Sequence, residues 1–588
     1  MHRLSLILFA GLGVVLGTVQ SGAQERTDPQ VVFRGEVRVE VVDLLVSVVD
    51  GIGEPVNGLK SDDFEIRQDG EPMDVTFFSS QGVGQDDAVA SAGGKSADGF
   101  PTNRMILVFD RISLEKKARK RTLKGLDSFL EGRLSPGTQV MVVLAGGGVE
   151  VVQPFTDDLK KVRGALEAVG VTEFSGDSLR GRKRVFRRSM SNAHIEQTGA
   201  YKPSPGGIDI SGLGLEDGLG SMQADGYLGQ VNQLRDFEFN RILGALIDLE
   251  TIVRGTAGLP GRRDVVWVGE DLFIKPGIDG YGTYFKVFQR YASRLNIKQP
   301  EVWAEEKDLS QQFEAVARLC QGMGATIHVL DDSDRQRFAM EGSINQKSSV
   351  NTKRFAFGDV RNMTFRQGAA QAQNLVEGGR FLAEATGGAF LSGSRDVDQF
   401  FDLLGAITGG TYWLGYGPPQ GLDGRLHDVV IGIKRKGLVI HAAARVPAAT
   451  VHQRLADFAA AEMLLPQGIN PLGFEVQAGK SSARDDGKIV QTFRLILPTS
   501  SIQFGENGDQ RTAQLAVAVA MEEVDGDVKP PSVFRLPVSI PADRYRAGSR
   551  VASSFRLLVD ESLQKVSVAL RDERSGLSGC QSLSIAAN

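Results

Sequence analysis

The sequence predicts an α/β protein: a doubly wound, mostly parallel sheet inserted in a small β domain, followed by a C-terminal antiparallel β-sandwich. Three observations carry this. Residues 103–113 read NRMILVFDRIS, a short apolar run that ends in Asp110 and is followed by a basic segment of helical spacing. Residues 258–273, GLPGRRDVVWVGEDLF, repeat the pattern, with Glu270-Asp271 at the tip. Between these and beyond them, strand and helix patterns alternate, while both flanks of the region read as β alone. Apolar runs of this length, bounded by polar residues, suit strands buried on both faces. Their alternation with helices implies a parallel sheet covered on both sides. In such sheets ligands sit outside the carboxyl ends of the strands, where Asp110 lies.

Size and composition set limits. The 588 residues suffice for three or four domains of roughly 150 residues each. The hydrophobic share of 41% and charged share of 24% are ordinary for folded domains. A net charge of −5 gives no sign of nucleic-acid binding. Residues 1–23 read as a secretory signal: a short basic start at His2 and Arg3, an apolar core, then Ser21-Gly22-Ala23. No other long apolar stretch follows, so no transmembrane segment is expected in the mature chain, which should be exported to the periplasm or beyond. Cys320 shares a helical face with Phe313, Val316 and Met323 and reads as a buried hydrophobe; whether it pairs with Cys580 stays open.

In order, residues 31–80 are β-patterned, with turn signals at Asp50-Gly51 and Asp69-Gly70. Fifty residues can hardly bury a core, so this piece needs partner strands elsewhere. Residues 81–102, rich in Gly, Ala, Ser and Asp, read as a linker. The α/β region spans 103–409, with insertions at 172–235 and 331–370. Residues 139–144 form its second strand. Gly146-Gly147-Gly148 then leads into another strand, so a hairpin is expected and not a phosphate loop, which needs a helix N-terminus. The first insertion holds RGRKRVFRR at 180–188 and a glycine-dense stretch at 206–222. Most of it is expected to be disordered, its basic cluster open to anionic polymer or lipid headgroups. Tyr284, Phe285, Phe288 and Tyr291 fall at helical spacing and suggest packing. Residues 410–446 return to strands and should complete the sheet begun by 31–80. Residues 447–472 read as a helical linker, and 473–588 as six or seven sandwich strands.

Several phrases match a known pattern in order: VSVVDGIGEPVNGLKSDDFEIRQDGEP at 46–72, ILVFDRISL at 106–114, GLPGRRDVVWVGEDL at 258–272, LAEATGGAF at 382–390 and TYWLGYGPP at 411–419. Together they resemble the von Willebrand factor A-related domain family of exported bacterial proteins, over residues 31–446. The ending, VSVALRDERSGLSGCQSLSI, looks like the β tail often appended there. The resemblance implies architecture more than role. It also implies a metal-ion-dependent adhesion site, with Asp-x-Ser-x-Ser in the first loop, a threonine in the second and an aspartate in the third. Here only Asp110 of the first loop matches. Ile112 and Leu114 stand in the serine positions, and Ser113, one position off, reads as a helix N-cap. Thr172 and Asp271 are the second- and third-loop candidates, with Glu270 beside the latter. Loss of two oxygens should weaken a hard-cation site severely. The site therefore reads as degenerate: Asp110 and Asp271 are the metal candidates, for Mg²⁺ or another divalent cation held weakly, and no other cofactor is expected. Asp110, Ser113, Thr172, Glu270 and Asp271 are the partner-contact candidates.

The function expected is an exported, non-enzymatic binding or adhesion-type protein whose top face engages a protein or surface polymer. A structural envelope component and a hydrolase of exported substrates are the alternatives. The six histidines form no HExxH, and there is no CxxC and no GxSxG after a strand. An acid–base pair of carboxylates assembled in space stays open.

Overall fold

The computed structural model describes residues 41–80, 103–197, 216–259, 261–288, 305–332, 377–393, 397–409, 411–442 and 445–585, apart from Ile52, residues 485–487, Asp525, Asp527 and Glu561. The signal at 1–23, the linker at 81–102, Tyr291 and nearly all of the second insertion lie outside the described residues. Among the described residues no helix is long and apolar enough to cross a membrane.

The chain opens with β1 (Val42–Asp50), β2 (Phe64–Gln68), β3 (Glu71–Met73) and β4 (Phe77–Ser80). The α/β region then runs β5 (Arg104–Asp110), α1 (Lys116–Gly132), β6 (Gln139–Ala145), β7 (Glu150–Thr156), α2 (Leu159–Val171), α3 (Gly176–Gln197), α4 (Glu216–Arg254), β8 (Arg263–Gly269), α5 (Ile278–Phe288), α6 (Ser310–Met323), β9 (Ala325–Asp331), β10 (Phe390–Ser392) and α7 (Val397–Gly409). Its six strands are ordered β10-β9-β8-β5-β6-β7. All neighbours are parallel except β7, which returns antiparallel on β6 through the three glycines. Every residue of β5 is buried, and so is every residue of β8.

Period-two alternation divides β5 between two cores. Met105, Leu107 and Phe109 join Leu126 and Phe129 of α1, Val162 and Val169 of α2, and Phe400 and Phe401 of α7. Ile106 and Val108 join Ile242 and Leu249 of α4 and Phe313 and Cys320 of α6. Cys320 and Cys580 are both buried and free.

The chain continues with β11 (Thr411–Tyr416), β12 (Leu426–Ile433), β13 (Leu438–His441) and β14 (Arg445–Pro447). β11 inserts between β1 and β4, in a sheet ordered β13-β1-β11-β4, and β12 pairs with β2 in a second sheet ordered β14-β12-β2-β3. Val46, Phe64, Tyr412 and Leu414 share one core, so strands from before and after the α/β region bury each other.

Then comes α8 (Val451–Leu464), closed at its start by a capping box of Thr450 and Gln453. It is a packed strut where the sequence suggested a linker: Leu455, Phe458 and Met463 enter the α/β core, together with Ala516, Ala518 and Ala520. The three alanines lie on one face of β18 (Gln510–Glu523), where small side chains let the helix approach. Leu515, Val517 and Val519 on its other face enter the C-terminal core, shared by the three-stranded sheet β15 (Glu475–Ala483), β16 (Ile489–Pro498), β20 (Arg550–Val559) and a sheet in which β17 (Gly505–Asn507), β18, β21 (Leu563–Asp572) and β22 (Ser578–Ser584) pair in that order, with β19 (Val528–Pro541) also on β18. Gly258, at φ +74°, tucks the turn before β8 against α8; a Cβ there would lie 2.2 Å from the Arg454 carbonyl oxygen and 2.3 Å from the Phe458 nitrogen.

The expectation of disorder in the first insertion is overturned. Residues 176–197 and 216–254 are helical. Val231 and Met190 pack with Tyr281, Tyr284 and Phe288 in a separate aromatic cluster. Only residues 198–215 of that insertion lie outside the described residues.

Candidate functional site

The carboxyl ends of β5, β8 and β9 carry Asp110, Glu270-Asp271 and Asp331-Asp332. The loop after β5 folds back on itself. Asp110 Oδ1 accepts from the Ile112 and Ser113 amides at 2.9 and 3.3 Å, and Oδ2 from the Ser113 hydroxyl at 2.5 Å. That hydroxyl accepts in turn from the Glu270 amide at 2.9 Å. Ser113 is therefore a bridge between two strand ends. It is not the helix N-cap expected from sequence; that position falls to Glu115, whose side chain makes no cap bond. Gly269 permits the closeness, since a Cβ there would lie 3.1 Å from both Asp110 Cβ and Ser113 Oγ.

Cations from α3 and α4 fill the space above. Arg241 of α4, with a side chain 1% exposed, brings Nη1 to 3.9 Å from Asp110 Oδ2. It also donates to the Glu270 and Asp271 carbonyls at 3.3 and 2.5 Å. Lys183 of α3 binds Asp271 Oδ2 at 2.7 Å and Glu238 Oε1 at 3.0 Å. Burial alone would depress its pKa, but the Asp271 and Glu238 carboxylates outweigh burial and hold it above the usual lysine range. Arg180 pairs with Glu115, and Arg121 with Asp332 at 2.7 Å. Asp248 of α4 accepts from the Gly146 amide at 2.7 Å. Asp271 sits in the left-handed region at φ +61°, which aspartate tolerates better than most residues.

Burial raises the Glu270 carboxyl well above its usual value, with Asp271, Glu115 and Asp331 adding to the rise. An acid whose pKa is raised on folding contributes stability below its unfolded value, near 4.5, that is lost as pH rises through the folded value. Asp332, lifted by burial to about 6 against the pull of Arg121, acts in the same sense between about 4 and 6.

These contacts bear on two expectations. The Asp110 and Asp271 carboxylates each face a different internal cation. Ile112 and Leu114 offer no side-chain oxygen, and the Ser113 hydroxyl is already engaged at both ends. The residues present do not fit a hard cation, which needs several free oxygens. Among the described residues, no three His, Cys, Asp or Glu side chains are grouped to hold a metal.

The side chains named for partner contact are mostly buried. Asp110, Ser113 and Glu270 are 1%, 2% and 8% exposed. The Thr172 hydroxyl caps its own helix by donating to the Ala168 carbonyl, and its carbonyl accepts from Arg119. Thr172 is half-buried, and the Asp271 side chain is 20% exposed. Exposure belongs to α3, where Arg182, Arg184, Val185 and Arg188 face solvent. Sequence reasoning missed Arg241, Lys183, Glu238, Asp248 and Arg121. The acids at 331–332 follow ATIHVL and repeat the signal of Asp110.

No protein-family model matches the chain, and no curated relative matches it. Solved structures similar to it include a von Willebrand factor type A protein from Catenulispora acidiphila (8% identity, 94% of this chain and 74% of that one, TM-score 0.24). Another is the hypothetical protein BatB from Bacteroides thetaiotaomicron (9% identity, 51% and 95%, TM-score 0.19). A third is proximal thread matrix protein 1 from the mussel byssus (8% identity, TM-score 0.22), covering 53% of this chain; the match spans about half, 48%, of the byssus protein. All three scores lie below 0.5, and the likenesses carry no weight for fold or function.

Proposed function

We propose that this is an exported, non-enzymatic binding protein of von Willebrand factor A-like architecture that docks its partner without a metal ion. The reading rests above all on Arg241 and Lys183. They bring fixed positive charge to the acidic strand ends, the place where a metal-dependent adhesion site would hold its cation. The sheet order, with β5 in the middle and an antiparallel edge, supports the architecture. So does α3, which packs across the carboxyl ends of β5 and β8 through Arg180 and Lys183.

Contact then falls to the outer surface of α3. Arg184, Val185 and Arg188 lie on one side of the helix, Arg182 beside them, and Val171 at the end of α2 is 85% exposed. Such a basic surface with apolar points suits an acidic protein or an anionic surface polymer. Dextran sulfate is the probe. The intact protein should bind it equally with or without EDTA, and more weakly as salt rises. The triple variant Arg182→Glu, Arg184→Glu, Arg188→Glu should bind at least tenfold more weakly at unchanged thermal stability. Equal binding by the variant, or loss of binding in EDTA, would overturn the reading.

A further inference from the structure

One histidine joins the turn between β2 and β3 to the loop between β11 and β12. His427, near the start of β12, has both ring nitrogens against carboxylates. Nδ1 lies 2.8 Å from Asp69 Oδ2, and Nε2 lies 3.1 Å from Asp423 Oδ1. Its side chain is 12% exposed. Asp69 is fixed from a second side. It takes the left-handed conformation of an Asp-Gly turn, at φ +51°. Its amide donates to the Asp428 carbonyl at 2.8 Å, and its Oδ1 accepts from the Asp428 amide at 3.1 Å. Asp423 Oδ1 also accepts from the Arg425 amide at 2.9 Å.

Ionised carboxylates only accept, and a neutral imidazole carries a single N–H. A neutral His427 can therefore serve Asp69 or Asp423 but not both; only the imidazolium satisfies the pair. The loop also holds the partner a neutral ring would take. Gln420 Nε2 lies 3.3 Å from the same ring Nε2. An amide NH₂ donates to a bare ring nitrogen, while a carboxylate accepts from a protonated one. The proton on Nε2 thus decides between Gln420 and Asp423.

Other charged groups surround the cluster. Arg425 Nε stands 3.9 Å from Asp423 Oδ2. Arg67 of β2 reaches the Gly70 carbonyl, and Glu71 of β3 is exposed. β14 sets Val446 opposite His427 and Arg445 opposite Asp428. Tyr416 donates to Gln68 at 2.7 Å and stays neutral, lifted by burial to about 12. Burial alone would lower the His427 pKa, but Asp69 and Asp423 outweigh it and hold the ring above 6.5. His427 holds Asp69 below 3.8, and the Arg425 amide and His427 do the same for Asp423. The three charges therefore coexist from 3.8 to beyond 6.5, and the link is lost as pH rises through the folded value of His427.

The loop abuts the start of α8. The Gly424 amide donates to the Ala448 carbonyl at 2.9 Å, and a Cβ on Gly424 would lie 2.6 Å from Nε2 of Gln453, the capping-box residue. Leu422 packs on the core of the β domain. We propose that His427 is a proton-operated latch: protonated, it ties the loop at 417–425 to the β2–β3 turn; deprotonated, it keeps Asp69, turns Nε2 over to Gln420 and frees Asp423, loosening the loop beside α8. The latch does not depend on the α3 surface.

Imidazole ¹⁵N NMR and hydrogen exchange of the intact protein, from about pH 5 to 9, test this. His427, assigned by the loss of its signals in His427→Gln, should titrate with a midpoint above 6.5, from two protonated nitrogens to Nδ1–H alone. Asp423→Asn should lower that midpoint by half a pH unit or more, and Gln420→Ala should raise it. Exchange in the loop, corrected for its intrinsic rise with pH, should quicken at least threefold across the midpoint. His427→Gln should exchange at the faster level throughout. A midpoint at or below 6.5, a midpoint that either variant leaves unmoved, or corrected exchange that stays flat would overturn the proposal.

Discussion

Replacing Arg241 with methionine is expected to cost the folded state about 3–5 kcal/mol, the loss that follows when one partner of a buried ion pair is removed. The side chains of Arg241 and Asp110 are 1% and 2% exposed, so water cannot take over the solvation of the carboxylate. Methionine keeps most of the apolar stem and removes the charge along with the donors to the Glu270 and Asp271 carbonyls. Chemical denaturation should show the loss as a lower midpoint. Adding Asp110→Asn to Arg241→Met should recover part of it, giving a coupling of about 1–3 kcal/mol in a double-mutant cycle. Strict additivity of the two substitutions would mean that the pair is not coupled.

The second large effect is expected at Asp264. Its carboxylate accepts from Arg262 Nε at 2.8 and 2.9 Å and pairs with His328 Nε2 at 2.9 Å. The Ala389 amide donates to His328 Nδ1 at 3.0 Å, so the imidazole is neutral with its proton on Nε2. Arg262 also reaches Ser47 of β1 and the Ile407 carbonyl of α7, tying the sheet to the β domain. Asp264→Ala strands a guanidinium that is 5% exposed, and a loss of about 3–5 kcal/mol should follow. The same network makes the protein acid-labile. Burial lowers the His328 pKa despite Asp264, so its contribution is present above pH 6.5 and is lost as pH falls toward the folded value. Burial would raise Asp264, but Arg262 and His328 hold it below 3.8; its contribution is present above 3.8 and lost as pH falls through the folded value. Midpoints measured from pH 7 to 3 should carry both losses in that order, set against the opposite trend from Glu270 and Asp332, and Asp264→Asn should remove the lower step.

The strand ends were legible for a simple reason. Fully buried parallel strands leave uninterrupted apolar runs, and β5 and β8 each show one closed by acids, while β9 keeps a shorter apolar end before its own. Helix α3 and the first half of α4 were not. The charges in RGRKRVFRR look like a solvated tract until two of the six, Arg180 and Lys183, meet Glu115 and Asp271 from elsewhere in the chain. The glycines of α4 lower its local propensity, and packing of Ala224 and Val231 on Tyr281 and Tyr284 overrides it. Ser113 carried a cap signature, but its true acceptor role involves an amide 157 residues away. Burial of the acids was hidden for the same reason: carboxylates at strand tips imply a site, while Arg241, which answers Asp110, announces itself only in three dimensions.

The most direct measurement is a calorimetric titration of the intact protein with Mn²⁺, beside the Asp110→Ala variant. With Arg241 and Lys183 supplying the positive charge, no saturable heat that depends on Asp110 is predicted. One-to-one binding in the native protein that disappears in Asp110→Ala would contradict the account.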